Sequence, residues 1–363
     1  MHHAVRCGMN LLKIAGLAPI AILLAACGMQ GTDTEEQASG EKQAQPAERE
    51  GYDDPREAAR EEASQQDGKL SLTLPEGVTS EMMGERTAEM IAVQVMLDRS
   101  AHVPGVIDGY GGDNTDRAIE YYREANGLGS GSEVDDALLQ ALMDETTGDI
   151  FRTYAVTKDD VSGTFRQLPE SFEQMAELES LGYETPLEML AERFHMDQDF
   201  LKALNPDADF GKAGTRLVIV SHGDGEIDGD IARIEVRKNE ASVVAFDEAG
   251  DMIATFPATV GSTRFPSPSG SMEVTAIAPE PNYTFKGDRQ NWGPGGTYIL
   301  PAGPNNPVGG TWIDLTKEGY GIHGSPDPNL IAKTGSHGCV RLTNWNAAAL
   351  ARAVGQGVPV DFA

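Results

Sequence analysis

Cysteine is scarce in this chain: the 363 residues hold three, at positions 7, 27 and 339. Basic residues are few as well, 28 against 57 acidic ones, for a formal net charge of −29. That sign disfavours a nucleic-acid partner, because a polyanion is bound by released counterions and clustered Lys and Arg. No apolar run is long enough to span a bilayer comfortably; the longest candidate stretches only from Ile14 to Ala26. No internal repeat is evident, which excludes a repeat array. At 363 residues the length suggests two to four domains.

What is present begins at the N-terminus. Arg6 and Lys13 precede the short apolar run, the shape of a secretory h-region. The run ends in Leu24-Ala25-Ala26-Cys27-Gly28, which resembles a bacterial lipobox. That resemblance implies a signal peptide over residues 1–26, with Cys27 lipidated and exposed as the new N-terminus. The alternatives are an ordinary signal peptide or a short membrane anchor. Gly28 in place of Asp lacks the enterobacterial inner-membrane retention signal and favours the outer membrane. With Cys7 discarded and Cys27 acylated, Cys339 is left without an intramolecular disulfide partner, although the exported compartment favours disulfides.

Residues 27–75 read as a disordered acidic tether. From 28 to about 68 the chain is rich in Glu, Gln, Ala, Ser and Asp, with Tyr52 as the one aromatic. Such a stretch cannot bury enough apolar surface to offset chain entropy. Its mean span is on the order of 35 Å, and self-repulsion lengthens it. Charge is unevenly divided: 16 basic and 44 acidic residues lie in 28–229, against 10 and 13 in 230–363. The acidic half reads as a solubilising surface.

Residues 76–146 are helical in pattern, with Met90, Ile91, Val93, Met96 and Leu97 on one face and Ala118, Ile119, Tyr122, Leu139 and Leu142 continuing the theme. Between them, Pro104-Gly105-Val106-Ile107-Asp108-Gly109-Tyr110-Gly111 resembles the loop of the small three-helix peptidoglycan-binding domain, with Gly111 where that family has an aromatic. Glycan binding and a spacer role both stay open. Residues 150–221 read strand, helix, helix, strand. Thr185-Pro186-Leu187-Glu188 supplies an N-cap, a first-turn proline and a capping-box glutamate. The βααβ order, Ala203-Leu204-Asn205-Pro206 and the closing Gly214-Thr215-Arg216-Leu217-Val218-Ile219 resemble a glycan-binding LysM domain with an insertion near 161–181.

From 230 to 363 the chain turns to short strands and frequent turns, so this domain is expected to be mainly β. Its lone thiol stands in Ser336-His337-Gly338-Cys339-Val340-Arg341, and His323 lies in Gly321-Ile322-His323-Gly324-Ser325. A thiol attacks a carbonyl only as thiolate and so needs a base close by. His323 can take the proton and return it to a leaving amine. Gly338 permits a tight turn, so the amides of His337, Gly338 and Cys339 can converge on an oxyanion. His337 is a hole residue or, less directly, the base. Arg341 shares the face of Cys339 along an extended chain and can hold a carboxylate or brace the loop. A zinc site from His323, His337 and Cys339 competes, although no acidic residue completes an HxxxD or HExxH pattern.

The segment GYGIHGSPDPNLIAKTGSHGCVRL, Gly319 to Leu342, closely resembles the catalytic motif of the L,D-transpeptidase (YkuD) family. Val260-Gly261-Ser262 with Pro266-Ser267-Pro268-Ser269-Gly270, and the loop Leu300–Gly309, resemble two further family segments. The resemblance implies Cys339 as nucleophile, His323 as base and His337 beside them. It also implies orientation or oxyanion duty for Gly338, Gly324 and Ser336, and substrate contact for Arg341 and Ser325, with no cofactor and no metal. The implied substrate is the peptidoglycan stem tetrapeptide, attacked at its third, diamino acid residue with loss of terminal D-Ala. The acceptor would be another stem, giving a 3→3 cross-link, or a lysine of a wall-anchored protein. Water as acceptor would make a carboxypeptidase or endopeptidase, and a non-enzymatic wall-binding lipoprotein is the remaining reading. The expected setting is the periplasm or cell envelope, at the end of a lipid anchor.

Overall fold

Side-chain caps decide where the N-terminal helices begin. In the computed structural model, which describes residues 74–75, 77–289 and 293–363, α1 (Ser80–Met83) starts behind Thr79 and α2 (Ala88–Arg99) behind Thr87. The Thr87 hydroxyl accepts from Met90 N at 3.1 Å, satisfying one of the amides that a helix start leaves over. Helices α3 (Asp113–Ala125) and α4 (Asp136–Glu145) follow, the latter capped by Asp135. The expected signal peptide, Cys27 and residues 27–73 of the tether lie outside the described residues. Among those described, no helix is long and apolar enough to cross a membrane.

Strand β1 (Phe151–Ala155) pairs antiparallel with β2 (Arg216–Val220), Phe151 opposite Val220. Between them lie α5 (Phe172–Met175), α6 (Pro186–Arg193) and α7 (Gln198–Leu204). The capping box reads out as written: Thr185 Oγ1 accepts from Glu188 N at 3.0 Å and Glu188 Oε2 accepts from Thr185 N at 3.3 Å. Leu97 and Tyr122 from the helical segment share one buried cluster with Leu190, Phe200 and Ile219. Each such side chain contributes about 1.5–3 kcal/mol of burial, so the two segments stabilise one another.

The C-terminal part is mainly β. Its strands are β3 (Arg233–Arg237), β4 (Ser242–Phe246), β5 (Met252–Pro257), β6 (Gly270–Pro279), β7 (Tyr283–Lys286), β8 (Thr297–Leu300), β9 (Thr311–Leu315), β10 (Gly321–His323), β11 (Val340–Arg341) and β12 (Pro359–Phe362). Eight of them form one sheet in the order β11-β10-β9-β6-β12-β3-β4-β5. The β10–β11 and β12–β3 pairs are parallel and the others antiparallel. Helix α8 (Asn344–Ala353), begun by a Thr343 cap, lays Ala347 and Leu350 into the same core as Val236, Ile313, Ile322 and Val340. Hairpin β7–β8 stands apart from the sheet, paired only to itself.

The N-terminal segments are built into this sheet rather than hung from it. Val103 belongs to the sheet's core cluster, and residues 101–103 cover the edge of β5 through Val103 N to Thr255 O (3.0 Å) and Thr255 N to Ala101 O (2.9 Å). An edge strand presents unpaired amides, and here they are satisfied by the chain's own α2–α3 connection. The insertion after β1 carries α5 and ends at Leu181, whose N and O bond Ala302 O and Asn305 N at 2.9 and 3.0 Å. Phe172 of α5 meets Phe285 of β7 edge to face, 4.8 Å between centroids.

Candidate active site

Strand register brings the thiol and the first histidine together. In the parallel β10–β11 pair, Ile322 stands beside Val340 and His323 beside Arg341. Ile322 and Val340 are both fully buried in the core. The alternation of a strand therefore turns His323 and Arg341 to the opposite face, and Cys339 stands in the bend just before β11, with the Arg341 charge felt by both the thiol and the His323 ring. The isolated segment 259–267 grips the other side of the loop. Thr259 and Arg341 exchange both backbone bonds at 2.9 Å, and Ser336 N bonds Val260 O at 2.8 Å.

His323 is buried and its ring lies flat against Trp312, 5.3 Å between centroids and 19° between planes. Its Nδ1 is 2.7 Å from Gly324 O. A carbonyl only accepts, so Nδ1 carries the proton and Nε2 keeps its lone pair. Burial pushes this imidazole down to about 4, and the Arg341 cation adds to the effect. His323 is thus neutral at pH 7 and able to accept a proton.

Cys339 is partly exposed, and its thiol donates to Gly319 O at 3.5 Å rather than to His323. Burial raises the thiol above its ordinary value, while the Gly321 backbone and Arg341 pull the other way. The resting pair is thiol and imidazole, not thiolate and imidazolium. Alkylation by iodoacetamide, which needs the thiolate, should accordingly be slow at pH 7 and climb roughly tenfold per pH unit past pH 9. Arg341→Gln removes a cation that favours the thiolate and should slow alkylation further at pH 8. A rate flat from pH 5 to 8, the mark of a preformed ion pair, would contradict this.

The Ser336–Cys339 turn is held at several points. Ser336 is buried; its Oγ donates to Cys339 O at 2.5 Å and accepts from Gly338 N at 3.0 Å. Gly338 has φ +119°, and an added Cβ would sit 3.1 Å from Tyr320, so glycine is required there. Its amide is occupied by Ser336 Oγ, which corrects the expectation of three converging amides: Gly338 N points into the turn. Ser267 Oγ donates to Gly338 O at 2.8 Å. His337 is exposed and leans on Phe265, 4.7 Å between ring centroids. Partial burial, Arg341 and Arg264 lower its pKa. Ser325, expected at the substrate, is buried and accepts from Asp327 N at 3.3 Å, a turn-forming role. Arg341 Nε is buried without a hydrogen-bond partner, so this cation has a donor still to satisfy.

Two residues near the thiol escape a reading by motif. Tyr283 at the start of β7 is near enough to Cys339 and Arg341 to feel both charges; burial first, then Cys339, raises its hydroxyl. Trp312 backs His323. Neither lies in a segment with a motif signal. Among the described residues, the one group of His, Cys, Asp and Glu whose ligand atoms lie within 4.8 Å of one another is Asp98, His195 and His222. His323, His337 and Cys339 do not form such a group.

Comparison with known proteins bears on the C-terminal part of the chain. Residues 231–361 match the family model described as the L,D-transpeptidase catalytic domain, YkuD. The YkuD protein of Bacillus licheniformis is 29% identical over 176 residues, 48% of this chain and 92% of that protein. The YkuD protein of Bacillus subtilis is 41% identical over 59 residues, 16% of this chain and 36% of that one. Among solved structures, an L,D-transpeptidase from Mycobacterium smegmatis aligns at 18% identity and TM-score 0.31, covering 42% of this chain and 63% of that structure. The chain thus covers less than two thirds of that structure's own length.

Proposed function

We propose, from the premise that residues 231–361 are a catalytic domain of the YkuD L,D-transpeptidase family, that this chain is a cysteine-dependent acyltransferase acting on peptidoglycan stem peptides. The observation that carries the reading is the register that sets His323 beside Arg341, two residues from Cys339, with His323 Nδ1 tied to Gly324 O so that Nε2 is the free base. Cys339 Sγ attacks the carbonyl carbon of the stem's diamino acid residue as its proton passes to His323 Nε2. The oxyanion is stabilised by the amides of His337 and Cys339, since Gly338 N is occupied. Collapse of the intermediate breaks the peptide bond. The imidazolium returns its proton to the departing D-Ala amine, leaving a thioester on Cys339. An acceptor amine then attacks the thioester, loses its proton to His323 and frees the thiol.

Arg341 meets the stem's carboxylate, a role supported by its unpartnered Nε. Tyr283 on the β7–β8 hairpin lies near enough to the thiol to bear on its charge. The 76–146 and 150–221 segments serve glycan binding, and a lipid on Cys27 with the acidic tether holds the enzyme to the envelope, the outer membrane in preference.

Purified protein incubated with a disaccharide tetrapeptide should release D-Ala and give a cross-linked dimer by chromatography. Tripeptide without dimer would make water the acceptor and the enzyme an L,D-carboxypeptidase. Unchanged tetrapeptide would sink the reading.

A further inference from the structure

Glu192 lies on α6, outside the catalytic domain, yet its carboxylate reaches into it. Oε1 accepts from Asn344 Nδ2 at 3.0 Å and from the Tyr183 hydroxyl at 2.9 Å. Asn344, the first residue of α8, spends its amide on three further neighbours. Its Nδ2 also donates to Pro304 O at 3.1 Å, and its Oδ1 accepts from Gly310 N at 3.1 Å. The same Oδ1 lies so close behind Gly324 that a Cβ there would come within 2.1 Å of it. Gly324 is the residue whose carbonyl holds His323 Nδ1. Glu192, Asn344, Gly324 and His323 therefore form a continuous chain of contacts from α6 to the candidate base.

We propose that Glu192 is a positioning residue for His323: its carboxylate orients the Asn344 amide, which packs against the Cα of Gly324, the residue whose carbonyl sets the imidazole. The N-terminal segments then complete the catalytic geometry as well as tether or bind. The proposal rests on His323 being the base. A side-chain amide can rotate to present either end, and the carboxylate, which only accepts, fixes Nδ2 towards α6 and Oδ1 towards Gly310 and Gly324. A loosened Gly324 carbonyl would let the ring tilt, and misplacements of about 1 Å at a reacting group cost up to about 10²-fold. Burial pushes the Glu192 carboxyl up to about 7, against the pull of Asn344 and Tyr183 and with the help of Glu188, so the test belongs at pH 8, where it is ionised.

The test measures kcat and KM for stem-peptide transfer, and iodoacetamide alkylation of Cys339, in the full chain. Glu192→Ala and Asn344→Ala should each lower kcat about tenfold with KM within about twofold, and the double variant should be no worse than Asn344→Ala. Glu192→Gln keeps an acceptor oxygen for Asn344 and should recover kcat to within about twofold. Asn344→Asp removes the donor, keeps Oδ1, and should match the Glu192→Ala loss; it serves if Glu192→Ala does not fold. Wild-type kcat in folded Glu192→Ala, or losses that multiply in the double variant, would overturn the proposal. Alkylation needs no peptidoglycan and separates the failures. If His323→Gln slows it and Glu192→Ala and Asn344→Asp do not, positioning by Glu192 is wrong. If His323→Gln leaves it unchanged, the reading of His323 as base falls instead.

Discussion

Cys339→Ala is expected to abolish the acyl-enzyme: intact mass spectrometry of wild-type protein with a stem tetrapeptide should show the added acyl group, and the variant none. Turnover should fall by at least about 10⁴-fold, the scale on which a nucleophile's removal is felt when its partners remain. The variant should fold normally, because the turn is built from atoms that alanine keeps. Ser336 Oγ bonds the Cys339 carbonyl, not its thiol, and Ser267 Oγ bonds the Gly338 carbonyl. The thiol's hydrogen bond to Gly319 O is 3.5 Å long, too weak to count towards stability. Cys339→Ser should be nearly as inactive. A hydroxyl has a far higher pKa than a thiol, and a neutral His323 already depressed to about 4 is a weak base for it. His323→Gln alone should cost about 10²–10⁴-fold and add little on top of Cys339→Ala. Full acyl-enzyme formation in Cys339→Ala would remove the nucleophile assignment and the proposed mechanism together.

The nearness of His323 to the Ser336–Arg341 segment was legible because strand periodicity and motif spacing are local signals. Val340 and Arg341, like Ile322 and His323, alternate in and out by period two, so the residues that share a face can be counted without a structure. Thr185 and Glu188 were legible for the same reason, the capping box being a three-residue pattern. The Gly338 amide was misread although its signal was also local. A serine two residues before an amide readily folds back on it, and Ser336 does so here. Glu192 was not legible at all: its partner Asn344 is 152 positions away, and no composition or period links them. The same holds for Phe172 on Phe285 and for residues 101–103 along β5, pairings that exist only once the sheet is assembled. A local resemblance to glycan-binding modules carries no information about contacts outside the module. The fold adds such contacts, from residues 101–103 to β5 and from Leu181 to Ala302 and Asn305.

Asp98→Ala should be the most damaging substitution to stability among the polar residues, because Asp98 is the point where those segments are tied. It ends α2 almost fully buried and accepts from Gly223 N at 2.7 Å, while its two oxygens lie 3.1 and 2.9 Å from His195 Nδ1. His195 in turn stacks on Trp345 of α8, 5.0 Å between centroids and 11° between planes. Helix α2, the turn after α6, the linker after β2 and the first turn of α8 thus converge on one carboxylate. Burial alone would raise that carboxyl, but His195, His222 and Gly223 together hold it below its ordinary value, so it is an anion throughout the neutral range. The three side chains also have the composition of a metal site. Both carboxylate oxygens are already engaged, however, and Arg99 stands close enough to feel the Asp98 charge. Removing the carboxylate leaves the Gly223 amide and His195 Nδ1 buried without their partner, a loss of about 3–5 kcal/mol. For a folded body of this size that lowers the melting temperature by roughly 10 °C. Asp98→Asn keeps an acceptor for Gly223 and should lose less. Gly223 cannot move to compensate, since even a Cβ there would lie 2.5 Å from Asp98 O. The depressed carboxyl makes the bond's contribution present above the unfolded value near 3.9 and lost only as the pH falls through the lower folded value. The gap between wild-type and Asp98→Ala melting temperatures should therefore narrow below pH 4. Calorimetry across that range decides it, and a variant that melts with the wild type at pH 7 would show that the junction is held elsewhere.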